Sequence, residues 1–212
     1  GHAARLRQQR IRLAIHLLTA LLIMSACLWT ALDLRALDRE PASRPARFPP
    51  LGAAALLVLA IQLMLGAFTA GLQAGHAFND LSFSSWPLMG SGFFPAGGWR
   101  DDWSLLANAV DNPIAVQFLH RWFAFVVLVA AIILARLARY HGRRRYSAVV
   151  HSIVGTQILL GISILLLGDR FGIYTYLATV HQAVAALLLI AFVATIHILS
   201  RYPNIVAKKP GF

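Results

Sequence analysis

The chain is short of charge. Only 13% of its 212 residues are Asp, Glu, Lys or Arg, and no more than 8 of them are acidic, where soluble domains carry about 25% charged residues. So few charges cannot cover a water-soluble globule of this size. A hydrophobic share of 58% and a mean hydropathy of +0.67 exclude a disordered chain as well. Cysteine is nearly absent. Cys27 stands alone inside an apolar run, so there is neither a disulfide framework nor a CxxC metal or redox motif. The apolar runs hold no paired carboxylates, and the chain shows no Ser/His/Asp arrangement and no phosphate-binding loop. No obvious general acid or base lies at membrane depth.

What is present is five long apolar stretches, at 13–34, 52–74, 114–137, 147–167 and 174–199, free of Lys, Asp and Glu except for Asp33 at the end of the first. At 1.5 Å per residue each can cross a hydrocarbon core of about 30 Å. The runs are continuous and do not alternate, which favours helices over barrel strands. Pro49-Pro50 and Asn112-Pro113 stand at helix entrances, where proline is tolerated. The expected fold is an all-α polytopic membrane protein.

Basic residues suggest its direction. Arg35, Arg39, Arg44 and Arg47 follow the first stretch, Arg136, Arg139, Arg143, Arg144 and Arg145 follow the third, and Arg201, Lys208 and Lys209 lie in the tail. The connection 75–113 has only Arg100 against Asp80, Asp101, Asp102 and Asp111, and the turn at 168–172 has only Arg170. This pattern places the C-terminus in the cytoplasm and the acidic loop and the N-terminus outside. The net charge of +11 then marks cytoplasmic loops rather than nucleic-acid binding. Arg5, Arg7, Arg10 and Arg12 run against that direction, and neither an initiator Met nor a signal peptide opens the sequence. The expectation is a longer parent whose upstream helices set the topology. Trp86, Trp99 and Trp103 read as an interfacial belt, and 105–110 as a short helix on the membrane surface behind Asp101-Asp102 and Ser104.

A repeat divides the remainder. Gln62-Leu63-Met64-Leu65-Gly66 in the second stretch matches Gln157-Ile158-Leu159-Leu160-Gly161 in the fourth. Each is followed by a helix with a histidine near its outer end, His120 and His181. Two helix pairs of one grammar suggest an antiparallel four-helix bundle over 51–200, preceded by an extra helix within 1–50 and followed by a tail at 201–212.

His120 lies seven residues after Pro113 and His181 eight after Ile173, which puts both imidazoles about 10–12 Å down their helices. Two histidines at matched depth can ligate one heme iron from opposite faces; the competing reading is two separate interhelical hydrogen bonds. Arg121 needs an anionic partner such as a heme propionate, or must snorkel outward. Gln117, one turn before His120, could orient the imidazole, bond a propionate or make a plain helix contact. Gln62 and Gln157 read as packing residues, with Gly66 and Gly161 as close-approach positions. His16 is either a ligand for a second heme or a polar interface residue. His151 and His197 are candidates for a second heme site, as in a membrane b-type cytochrome that only carries electrons, though solvation near helix ends is the stronger reading. His76 could gate access from the outer loop; His2 and His141 are loop residues.

The run from Gly66 to Asp80, Gly-Ala-Phe-Thr-Ala-Gly-Leu-Gln-Ala-Gly-His-Ala-Phe-Asn-Asp, followed by Trp86-Pro87-Leu88-Met89, resembles the signature of heme A synthases. So do Val116-Gln117-Phe118-Leu119-His120-Arg121, Thr179-Val180-His181-Gln182 and Arg12-Leu13-Ala14-Ile15-His16-Leu17. The chain is similar to the alphaproteobacterial and mitochondrial branch, with 81–85 as an insertion in the outer loop. The resemblance implies eight transmembrane helices in two pseudo-symmetric halves and oxidation of the C8 methyl of heme O to the formyl of heme A for cytochrome oxidase. It implies a heme b cofactor on His120 and His181, and places His16 as one of the histidines for the substrate heme. The partner histidine, the catalytic glutamate and the first three helices have no counterpart here, so the 212 residues alone are expected to bind heme b without converting heme O. Heme O and membrane lipid are the implied partners. Heme O synthase, cytochrome oxidase assembly factors and a second copy of the chain are candidates.

Overall fold

A computed structural model of the chain describes residues 2–42, 45–76, 88–89, 92–95, 97–168 and 171–201. Expectations that rest on Arg44, the 77–87 segment, Arg170, Lys208 and Lys209 lie outside the described residues. The described residues form helices and loops and no strand. The helices are α1 (His2–Arg39), α2 (Pro50–Gly71), α3 (Leu105–Asp111), α4 (Pro113–Tyr140), α5 (Arg144–Leu167) and α6 (Tyr174–Ser200), with a 3₁₀ turn at Ala74–His76. Five of them are long and apolar enough to cross a membrane, α1 counted from Arg7. The chain is a multi-pass membrane protein.

The boundaries follow local chemistry. Pro50 opens α2 and Pro113 opens α4, each in the first turn, where a missing N–H costs nothing. Asn112 caps α4 by accepting from Ile114 N at 3.1 Å, and Ser104 caps α3 by accepting from Ala107 N at 3.1 Å. Gly142 takes φ +74° in the turn between α4 and α5, a conformation that costs glycine no Cβ clash. The first helix is longer than the apolar stretch 13–34. Its arginine- and glutamine-rich start continues the helix, as their propensity allows, and Arg7 and Arg10 find Asp111 at the end of α3. The short helix expected at 105–110 is present as α3, with Leu105 and Leu106 exposed.

The four helices α2, α4, α5 and α6 pack in a ring of antiparallel neighbours, and α1 lies against α2 and α6. A dense core fills the end of the bundle that carries the α4–α5 turn. Leu59, Ala131, Leu134, Val150, Leu188, Phe192 and Ile196 are each 3% exposed or less. Leu21, Met24, Leu28 and Trp29 of α1 pack against it. At that end Asp33 Oδ1 accepts from His197 Nε2 at 2.9 Å, Arg201 Nη2 at 2.7 Å and the Ala46 amide at 3.0 Å. Opposing ion pairs therefore tie both ends of α1 to the bundle. Its other face, with Leu13, Ile15, Leu22 and Ile23, is exposed.

At the α3 end, buried Asn108 and Asn112 fix the approach to α4. Asn112 Nδ2 donates to Gly98 O at 2.8 Å and to Asn108 Oδ1 at 2.9 Å, while Asn108 Nδ2 donates to Arg100 O at 2.9 Å. With its capping residue held on three sides, α4 starts at a set height, and so does the histidine two turns below.

Candidate functional site

The 3.6-residue period sets the site. Residues four apart on a helix share a face, so Gln62 and Gly66 of α2 present one surface to α4, and Gln157 and Gly161 of α5 present the matching one to α6. Each surface meets a histidine. Gln62 Nε2 donates to the His120 carbonyl at 3.0 Å and lies 3.2 Å from His120 Nδ1. Gln157 Nε2 lies 3.1 Å from His181 Nε2. A Cβ added at Gly66 would stand 3.1 Å from His120 Cε1, and one at Gly161 3.3 Å from His181 Cε1. The glycines leave just enough room for the rings. The two imidazoles face each other with centroids 6.4 Å apart and planes crossed at 77°.

This corrects one expectation. Gln62 and Gln157 are not packing residues: each amide is committed to a histidine. The sequence shows the amide and the glycine at fixed spacing ahead of each histidine helix, but not the contact between helices that joins them to the ring. The close-approach reading of Gly66 and Gly161 gains its reason, since what approaches is imidazole. Several polar atoms around the pair are buried without a hydrogen bond: Oε1 of Gln62, Gln157 and Gln117, and Nδ1 of His181. Such atoms cost about 1–3 kcal/mol each unless something else satisfies them.

The other sequence candidates lie apart from the pair or beside it. Gln117 is buried and donates to Gly75 O at 3.4 Å, a contact to the 3₁₀ turn rather than to His120. Arg121 Nη1 donates to the Leu88 carbonyl at 2.8 Å, so the guanidinium reaches back toward the loop at the α3 end. His16 is exposed on α1. His76 is also exposed and stacks on Tyr174, with ring centroids 3.9 Å apart. A Cβ at Gly75 would collide with the same tyrosine's hydroxyl, so the turn seats directly on the start of α6. His151 and His197 do not come together. His151 is exposed and its Nδ1 bonds Ser147 O at 2.8 Å, whereas His197 is buried against Asp33 and the Trp29 ring. Helix-end solvation therefore fails for His197, because α1 covers it, and the pair does not build a second site.

A shared metal between His120 and His181 can be tested on distance. Metal–imidazole bonds of about 2.0–2.1 Å, with roughly 1.1 Å from nitrogen to ring centre, require centroids about 6.2–6.4 Å apart. The 6.4 Å between the ring centroids matches that separation. Among the described residues no group of three or more His, Cys, Asp or Glu side chains is placed to hold a metal ion. The donor set is two neutral-capable imidazoles in an apolar bundle, which fits an iron whose remaining positions are filled by a macrocycle.

A family profile described as "Cytochrome oxidase assembly protein" matches residues 2–193. The chain is 50% identical over 191 residues to a protein named heme A synthase from Rhizorhabdus wittichii, covering 90% of this chain and 52% of the relative. It is 43% identical over 180 residues to that of Erythrobacter litoralis, covering 85% and 50%. It is 38% identical over 192 residues to that of Sphingopyxis alaskensis, covering 90% and 51%. The chain thus spans about half the length of these relatives. No solved structure matches it.

Proposed function

Because the chain belongs to the cytochrome oxidase assembly protein family, we propose that it is the cofactor-holding part of a heme A synthase, binding one heme b between His120 and His181. The observation that carries this reading is the 6.4 Å imidazole pair, each ring seated on its own glycine and glutamine. In the whole protein the reaction is oxidation of the heme O C8 methyl group to the formyl group of heme A, in support of cytochrome oxidase assembly. Heme O is the substrate. Heme O synthase, assembly factors and a second copy of the chain are the candidate partners.

Within this chain the residues have separable tasks. His120 and His181 would ligate the iron, and the bound group would supply the capacity to accept and pass electrons. Gly66 and Gly161 keep the space beside the imidazoles clear. Arg121 offers a cation near His120 for an acidic edge of the macrocycle, and buried Gln117 braces the 3₁₀ turn above the pair. The apolar helices exclude water, which strengthens polar contacts inside. His16, on the exposed face of α1, is the residue assigned to the substrate heme. Residues 51–200 form the cofactor bundle, and α1 links it to the rest of the protein. The protein lies in the cell inner membrane with its C-terminus cytoplasmic and the N-terminus of this chain on the outer side, as the arginine distribution supports.

The test is reconstitution of the purified chain with hemin in detergent. A six-coordinate low-spin spectrum is expected, lost in His120→Ala/His181→Ala. A chain that takes up no heme, or a double variant that keeps the spectrum, contradicts the assignment.

A further inference from the structure

The histidine pair stands on two amides that a simple ligation scheme does not use. Gln62 and Gln157 each place Nε2 within 3.2 Å of one imidazole nitrogen, and each leaves its own Oε1 buried without a hydrogen bond. The same Gln-x-x-x-Gly spacing sets an amide against a histidine twice, on different helices, at Nδ1 of His120 and at Nε2 of His181, which leaves the opposite ring nitrogen of each for the metal. A packing amide has no reason to carry an unsatisfied oxygen beside a titratable ring in both repeats.

A ligating imidazole gives one nitrogen to the metal and keeps its proton on the other, and that N–H needs an acceptor. Metal-bound histidines usually find one in a carboxylate, a backbone carbonyl or water, and the bond fixes the ring and raises its basicity as a ligand. Among the described residues neither histidine has a carboxylate bonded to it; each has a glutamine. We infer that Gln62 and Gln157 are positioning residues which, when the histidines are ligated, turn Oε1 to the ring N–H, orienting each imidazole and setting its electron donation to the iron. The inference rests on the heme reading above. Gln62 Nε2 donates to the His120 carbonyl, and the Oε1 of each glutamine is buried with no hydrogen bond. A half-turn of the amide brings Oε1 to the ring, at Gln62 in exchange for the bond to the His120 carbonyl, and without the charge that a carboxylate would bring into the bundle.

The test is the midpoint potential of heme b bound to the full chain, in Gln62→Leu, Gln157→Leu, the double variant and the corresponding Glu substitutions. Loss of the acceptor weakens the imidazole as a donor and favours reduced iron. Each Leu variant is expected to keep the low-spin spectrum and to shift to higher potential by about tenfold in the reduction equilibrium, about 59 mV for one electron. The double variant should shift further, and the Glu variants, which restore and strengthen the acceptor, should fall at or below the parent. Purely structural amides would lower heme occupancy in the Leu and Glu variants alike, with no ordered change in potential. Potentials that stay at the parent value in heme-loaded Leu variants overturn the inference alone. A parent chain that binds no heme overturns the reading beneath it.

Discussion

From Leu188 to Leu199, α6 buries nine residues, whereas from Tyr174 to Leu187 it buries none. Helix α5 repeats the contrast, with Ser147, Val150 and Val154 buried and nothing buried beyond them. On α4 the stretch between Gln117 and Val127 holds no buried residue either. The interval left open on all three helices is where His120, Gln157, Gly161 and His181 sit. The difference teaches which half does which work. At the α4–α5 end, apolar side chains and the Asp33 cluster specify the fold. At the α3 end, the helices are held at their tips by the asparagine network and the 3₁₀ turn, and between them stand the two histidines with their glutamines and glycines.

Substitutions should separate the two halves. The largest effect is expected from filling the open half: Gly66→Leu or Gly161→Leu would drive a branched side chain into an imidazole whose Cε1 already lies 3.1 or 3.3 Å from the first added carbon. Either should abolish low-spin heme binding in a hemin titration while the ligand-free melting temperature changes little. In the dense half the order reverses. Phe192→Ala empties a site that is 0% exposed, and should cost about 3–5 kcal/mol in detergent unfolding, with the heme spectrum retained. Asp33→Ala removes a carboxylate that accepts from His197, Arg201 and the Ala46 amide. It should cost about 2–3 kcal/mol and loosen α1, read as faster proteolysis near residue 42. The smallest effect is expected outside both halves. Leu22 is 69% exposed on α1, and Leu22→Ala should change stability by less than about 0.5 kcal/mol. A loss of heme binding from Phe192→Ala as complete as that from Gly66→Leu would erase the distinction between the halves.

Most of the architecture was legible because membrane helices announce themselves by length and continuity, and because Pro50, Pro113 and Asn112 mark their starts. The histidine pair was legible through matched depth on two helices of one bundle. What the sequence hid depended on contacts between helices. Gln62 and Gln157 looked like packing residues because nothing along one helix says that a histidine from the next will meet them. His197 looked like a solvated helix-end residue, and only the packing of α1 places Asp33 and Trp29 over it. Arg121 showed a need for a partner, but its choice of the Leu88 carbonyl depends on how the loop folds back over α4.

The most direct measurement is a hemin titration of the purified chain, following heme absorbance and spin state together in the parent and in the single variants His120→Ala and His181→Ala. Saturation at one heme per chain in a six-coordinate low-spin form, with each single variant losing that form, is the expected result. Saturation at two hemes, or a low-spin complex that survives either single substitution, would contradict the claim that the two imidazoles share one iron.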